Sequence, residues 1–257
     1  MKLTKYTLIF VLSVFLFNCN SDKKKGAYAE DLNNVNTPKS IEVKPINHGT
    51  LVLKSEDYNF YIDPVGGADK FYGLGKPDFV LITDIHGDHL NIDTLKDLNL
   101  SETTLIAPKA VADRLPSDIA NTIVVLNNGD NFEIDNLKIE AIPMYNLREE
   151  ALKFHPKGRG NGYVINVDDK RIYISGDTED IPEMRNLKDI DMAFVCMNLP
   201  YTMTEKSAAS AVLDFKPKKV YPYHYRGKDG LSDIEAFKNE VSAKNSDIKV
   251  MLLNWYN

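Results

Sequence analysis

Histidine and cysteine are scarce in this chain of 257 residues, five and two respectively, and acidic side chains outnumber basic ones. Two cysteines provide no disulfide framework. Cys196 sits in the apolar, strand-like run 193–197 and reads as a buried small hydrophobe. The formal charge of −6 argues against a general nucleic-acid binder, because neutralising phosphates requires a basic surface. The N-terminal apolar run, residues 6–17, is shorter than the ~20 residues that cross a bilayer. No internal repeat or low-complexity stretch stands out. An apolar content of 43% with 26% charged residues is that of an ordinary globular domain with a sizeable core.

The N-terminus has a different character. Lys2 and Lys5 precede the apolar run, and Asn18-Cys19 follow it, the layout of a basic n-region and a signal-peptide h-region. A cysteine at the end of such a run resembles the bacterial lipoprotein signal, in which Cys19 becomes the lipidated first residue after cleavage. Residues 20–40 are polar, charged and aperiodic, as in a flexible tether. The expected organisation is a leader over 1–19, a tether over 20–40 and one domain over 41–257, lipid-anchored in the bacterial cell envelope.

The domain opens with strand-like pieces at 41–46, 50–54 and 58–62, separated by turn signals. Further strands are expected at 79–82, 104–107, 122–126, 131–134, 137–142, 162–167, 171–175, 192–197, 219–223 and 248–253. Helical patterns fall at 92–98, 109–115, 204–215 and 232–241. Early hairpins followed by alternating helices and strands imply an α/β (α+β) architecture with mixed sheets.

Because histidine is rare, its placement is informative. Directly after the apolar run 79–82 comes Thr83-Asp84-Ile85-His86-Gly87-Asp88-His89, two carboxylates and two imidazoles on one loop. Such a set suits a hard or borderline divalent metal such as Zn, Mn or Fe. The same event recurs at Asp177, after the strand ending near Ile174, and at His224, after Val220-Tyr221. If those strand ends converge, one site is assembled from separate strands.

These residues resemble the metallo-β-lactamase superfamily, whose signature is Thr-His-x-His-x-Asp-His after a strand, followed by a later His, a Gly-Asp-Thr and a final His. Here they correspond to 83–89, Gly176-Asp177-Thr178 and His224. The stretches 61–64, 143–146 and 173–178 look like the branch of ascorbate-6-phosphate lactonase-like hydrolases. The resemblance implies a four-layer αββα sandwich with metals at one edge of the sheets. Carried over by position, His86 binds a first metal, Asp88, His89 and His224 a second, and Asp177 bridges them. Asp84 stands where the family has its first His, and Asn146 or Tyr145 near its intermediate His. Asp84 then either binds metal as a carboxylate, which favours Mn or Fe over Zn, or leaves a single-metal enzyme. His155 either replaces a missing imidazole or contacts substrate or solvent. His48 either orients a ligand through a hydrogen bond or is a surface turn residue.

The expected chemistry is metal-assisted hydrolysis with one or two ions. Asp88 would hold or deprotonate the water, and Tyr145 would stabilise charge on the attacked group. Lys157 and Arg159, with Arg148 and Lys153, make the loop 147–160 basic, which suggests a small, anionic ester, lactone or phosphodiester substrate. The competing reading is a non-catalytic metal- or ligand-binding envelope lipoprotein on the same fold.

Overall fold

The computed structural model describes residues 40–256. The expected leader with Cys19, and the tether up to residue 39, lie outside the described residues. The described residues make one compact unit. Among the described residues no helix is long and apolar enough to cross a membrane.

The first sheet has six strands in chain order: β1 (Glu42–Asn47), β2 (Thr50–Lys54), β3 (Asn59–Ile62), β4 (Phe79–Leu81), β5 (Leu100–Ala107) and β6 (Ala120–Val125). The first three are antiparallel, and β3 to β6 are parallel. Side chains alternate between faces along each strand. Leu51, Leu53, Phe60 and Ile62 enter the core shared with the second sheet. Val52, Tyr61, Val80 and Leu105 face the other way, packing with Leu95 of α1 (Ile92–Asp97) and Val111 of α2 (Lys109–Ala112).

The second sheet holds β7 (Asn131–Ile134), β8 (Leu137–Met144), β9 (Gly160–Val167), β10 (Lys170–Ile174), β11 (Met192–Cys196) and β12 (Lys219–Tyr223). A two-strand hairpin, β13 (Arg226–Gly227) and β14 (Gly230–Leu231), follows β12, and β15 (Lys249–Val250) pairs beside β12 at the edge of the second sheet. α3 (Pro182–Arg185), α4 (Glu205–Phe215) and α5 (Ile234–Lys244) complete the layers. α4 buries Ala208, Ala211, Val212 and Phe215, and Phe215 meets Tyr173 of β10 with ring centroids 6.0 Å apart. Phe79 and Phe132 touch between the two sheets. This is the helix–sheet–sheet–helix order anticipated above.

Some boundaries move. β8 continues through Pro143 to Met144, beyond the expected stop at 142. Pro143 is tolerated because β7 pairs with β8 only as far as Glu140, leaving that edge open. α2 is a single turn, and the last strand shrinks to two residues. α3, with Pro182 at its start, was not anticipated.

At one end of the sandwich the sheets are tied together where β4 runs out. The Tyr163 hydroxyl donates to the Ile82 carbonyl at 2.7 Å, and the Asn161 N–H donates to the Thr83 carbonyl at 3.0 Å. That junction is where the polar loops meet.

Candidate metal centre

Five segments bring polar side chains to this end. The β4 loop carries residues 83–89, the end of β3 carries Asp63, and the end of β10 carries Asp177. The end of β12 carries His224, and the β1–β2 turn carries His48. Asp63, His224 and His48 all adopt positive φ (45°, 49° and 52°). Left-handed backbone is costly for such residues and persists where the surroundings enforce it. Here the enforcement is hydrogen bonding: the Asp63 N–H donates to Leu81 O at 2.9 Å, and the His224 N–H to His48 O at 3.1 Å.

Asp88, His89, Asp177 and His224 converge. His89 Nε2 lies 3.4 Å from Asp177 Oδ2, and His224 Nε2 lies 3.4 Å from both Asp177 Oδ1 and Asp88 Oδ2. The two imidazole Nε2 atoms face each other at 3.1 Å. The orientation of His89 is set from behind. Asp63, fully buried, accepts from His89 Nδ1 at 2.8 Å, from the Thr83 N–H at 2.7 Å and from the Thr83 hydroxyl at 2.6 Å. With its Nδ1 proton committed to Asp63, a neutral His89 turns its Nε2 lone pair to the centre, the arrangement that carboxylate–histidine–metal triads use. Asp63 was missed in the sequence, although the signal was present: an acidic residue directly at a strand end.

Electrostatics point the same way. Burial opposes charge on Asp177, but His224 and His89 outweigh it and hold the carboxyl well below the usual range. Burial of Asp88 is likewise outweighed by His224 and His48. His89 is raised well above an ordinary imidazole, because Asp177 and Asp63 overcome its burial. Two depressed carboxylates thus face buried imidazoles, and buried Asp177 Oδ1 has no hydrogen-bond partner. These donors, within 4.8 Å of one another for His89, Asp177 and His224, fit one divalent cation.

The neighbouring group of Asp84, His86 and His155 is also close enough to hold a metal, but its donors are engaged differently. Arg159 forks onto Asp84, Nε to Oδ1 at 3.0 Å and Nη2 to Oδ2 at 2.8 Å, and His86 Nδ1 reaches Oδ2 at 2.7 Å. Arg159, expected on substrate, is therefore held by a buried carboxylate instead. His155, from the loop, does reach the centre, its Nε2 3.3 Å from Asp177 Oδ2. Its Nδ1 donates to the Tyr201 carbonyl at 3.1 Å, leaving Nε2 as a buried lone pair without a partner. Asn146, considered as a ligand, instead donates from Nδ2 to Ala151 O and Tyr201 O, and its N–H donates to the His155 carbonyl. It shapes the His155 loop. The buried Glu179 carboxylate anchors the same loop by accepting from the N–H groups of Leu147 and Arg148 and from Arg148 Nε.

His48 lies against the centre, its ring 3.6 Å from that of His224 and its Nε2 3.4 Å from Asp88 Oδ2. The Tyr256 hydroxyl accepts from the N–H groups of Tyr225 and Arg226, so its own proton goes to His48 Nδ1 at 2.7 Å. That fixes the Nε2–H tautomer, a donor aimed at Asp88. Burial lowers the His48 pKa, consistent with a neutral ring. Two other expected roles do not match the geometry. The Tyr145 hydroxyl donates to Glu183 at 2.9 Å, and Lys157 is paired with the same carboxylate at 2.7 Å. Glu183, on the unanticipated α3, draws both away. The basic loop is thus largely neutralised by internal acidic partners.

A cavity of about 350 Å³ opens onto the centre, lined by His86, Asp88, His155, Asp177, Asn198 and the rings of Phe154 and Tyr201. That volume lies at the lower end of small-molecule sites.

Residues 58–225 match the family model for the β-lactamase superfamily domain. A UPF0173 metal-dependent hydrolase of Pyrobaculum islandicum is 31% identical, covering 83% of this chain and 96% of its own. Another, from Pyrococcus horikoshii, is 30% identical over 79% and 93%. A crystal structure of a candidate metal-dependent hydrolase from Parabacteroides distasonis is 40% identical, with a TM-score of 0.74 over 83% of this chain and 93% of that one. The chain belongs to the β-lactamase superfamily and, within it, to the UPF0173 metal-dependent hydrolase family.

Proposed function

We propose that this protein is a metal-dependent hydrolase that cleaves an ester, lactone or phosphodiester bond in a small molecule. The observation that carries the reading is the convergence of Asp88, His89, Asp177 and His224, of which Asp88 and Asp177 line the cavity, with a buried carboxylate oxygen that has no hydrogen-bond partner. The names of the full-length relatives support it. A divalent ion held by these four side chains, Zn, Mn or Fe by donor type, would supply Lewis acidity and lower the pKa of water from about 15.7 to about 7.

The chain's own residues define the rest. Asp88 is the half-exposed member of the set and faces the cavity, placed to hold a water and take its proton. His48 Nε2–H steadies the Asp88 carboxylate from the side. His155 Nε2, an acceptor because Nδ1–H is tied to Tyr201, can take or return a proton at the cavity wall. Phe154 and Tyr201, packed edge to face with ring centroids 5.1 Å apart, offer an apolar side of the cavity to the substrate. With Lys157 and Arg159 paired internally, an anionic substrate group would be met at the metal rather than by the loop. The same proposal includes the envelope location, with Cys19 carrying a lipid anchor; metabolic labelling with a radioactive fatty acid that survives in Cys19→Ser contradicts it.

The test is a screen of metal-replete protein against lactones, carboxylic esters and phosphodiesters, with His155→Gln alongside. Turnover of at least one class is expected, with kcat falling roughly a hundredfold in His155→Gln while metal content stays unchanged. No turnover of any class by a metal-loaded, folded protein defeats the reading.

A further inference from the structure

We propose that the Arg159 guanidinium takes the place of a first metal ion, so that this chain holds a single ion, at Asp88, His89, Asp177 and His224. The inference rests on the metal-dependent reading above and specifies how its centre is charged. Asp84 has no exposed surface, and both of its oxygens are engaged: Oδ1 by Arg159 Nε, Oδ2 by Arg159 Nη2 and by His86 Nδ1. Paired hydrogen bonds of this fork geometry are among the strongest that a carboxylate makes. Arg159 Nη2 is also fixed by the Phe154 carbonyl and stands 3.5 Å from His86 Nε2. A cation therefore already stands against two of the three candidate ligands. His86 turns its Nδ1 proton toward Asp84, so that nitrogen is not available as a donor to metal. The ring's remaining lone pair, on Nε2, already faces Arg159 Nη2 at 3.5 Å, so only His155 Nε2 and the shared Asp177 are free of the guanidinium at the first position.

Charge accounting separates the two positions. At the first, Asp84 and Arg159 cancel. At the second, Asp88 and Asp177 leave two negative charges, with no arginine or lysine paired to either among the described residues. Arg159 is in this account a positioning residue: it holds Asp84, and through Asp84 the face of His86 that lines the cavity.

Metal stoichiometry tests the proposal without reference to activity. Full-length protein is saturated with Mn(II) or Zn(II), freed of excess and analysed for metal per chain, and the Mn(II) form is examined by electron paramagnetic resonance. One equivalent and the hyperfine pattern of an isolated ion are expected. Arg159→Met, which removes the charge but keeps much of the bulk, should gain a second equivalent at Asp84, whereas Arg159→Lys should stay at one. Two equivalents or a spin-coupled pair in the wild type overturn the proposal and leave the hydrolase reading intact; no metal at all defeats both. A folded Arg159→Met that stays at one overturns the role given to Arg159. If that variant does not fold, the wild-type stoichiometry and spectrum still decide.

Discussion

Asp63 does not line the cavity and reaches the candidate centre only through His89 and Thr83, yet replacing it should weaken metal binding. In Asp63→Asn the amide oxygen can serve only one side. If it accepts from the Thr83 N–H, as Asp63 Oδ1 does at 2.7 Å, the amide nitrogen is set against His89 Nδ1 and the Thr83 hydroxyl, which now meet a donor. His89 must then accept at Nδ1 and carry its proton on Nε2, the atom needed for metal. If the amide turns over, its NH₂ is set against the buried Thr83 N–H. Loss of an outer hydrogen-bond partner typically lowers metal affinity ~10- to 100-fold, which is about 1.4–2.7 kcal/mol. A buried hydrogen bond to a charged group contributes roughly 1.5–3 kcal/mol to stability. For a domain of this size that corresponds to a fall in Tm of about 3–12 °C in the metal-free protein. Calorimetric titration with Zn(II) and thermal melts in chelator measure the two effects. An affinity within twofold of wild type would refute the assignment of Asp63 as the group that sets the His89 tautomer.

Two further predictions concern the same cluster. A methyl group on Gly49 would lie 2.8 Å from His224 Cδ2 and 3.4 Å from His89 Cε1. Gly49→Ala should therefore push the two rings off position at a cost of ~1–3 kcal/mol, seen as a roughly tenfold to hundredfold loss of metal affinity in calorimetry; an unchanged affinity contradicts it. Asp88, Asp177 and His89 each contribute to the pH dependence of the metal-free protein. Asp177 and Asp88 are depressed in the fold, so their contribution is present above their ordinary value of 3.8 and is lost as pH falls through the folded values. His89 is raised, so its contribution is full below 6.5 and is lost as pH rises through its folded value. Melts in chelator should be most stable between about pH 4 and 6.5, while metal affinity should rise with pH as the His89 proton ceases to compete. A metal-free Tm that keeps climbing beyond neutral pH would contradict the first part, and a pH-independent metal affinity the second.

The strand ends were legible because hydrophobic runs stop abruptly at polar residues, and β4, β10 and β12 deliver Asp88, His89, Asp177 and His224 where expected. Loops were less legible. That His155 reaches Asp177 depends on anchors far away in sequence, Glu179 and the Tyr201 carbonyl, which no local pattern reveals. Tyr145 and Lys157 sit near the centre in sequence terms, but Glu183 on a one-turn helix draws them off, and a helix that short has no periodicity to read. The basic charge of loop 147–160 was visible, whereas its neutralisation was not, because the acidic partners of Arg159 and Arg148 lie 75 and 31 residues away.

The most direct test of the metal centre is anomalous diffraction from crystals grown with Mn(II) or Zn(II). The account predicts one strong peak bounded by Asp88, His89, Asp177 and His224, with the Arg159–Asp84 fork intact beside it. A map with no peak at that position, or with its only peak among Asp84, His86 and His155, would contradict it.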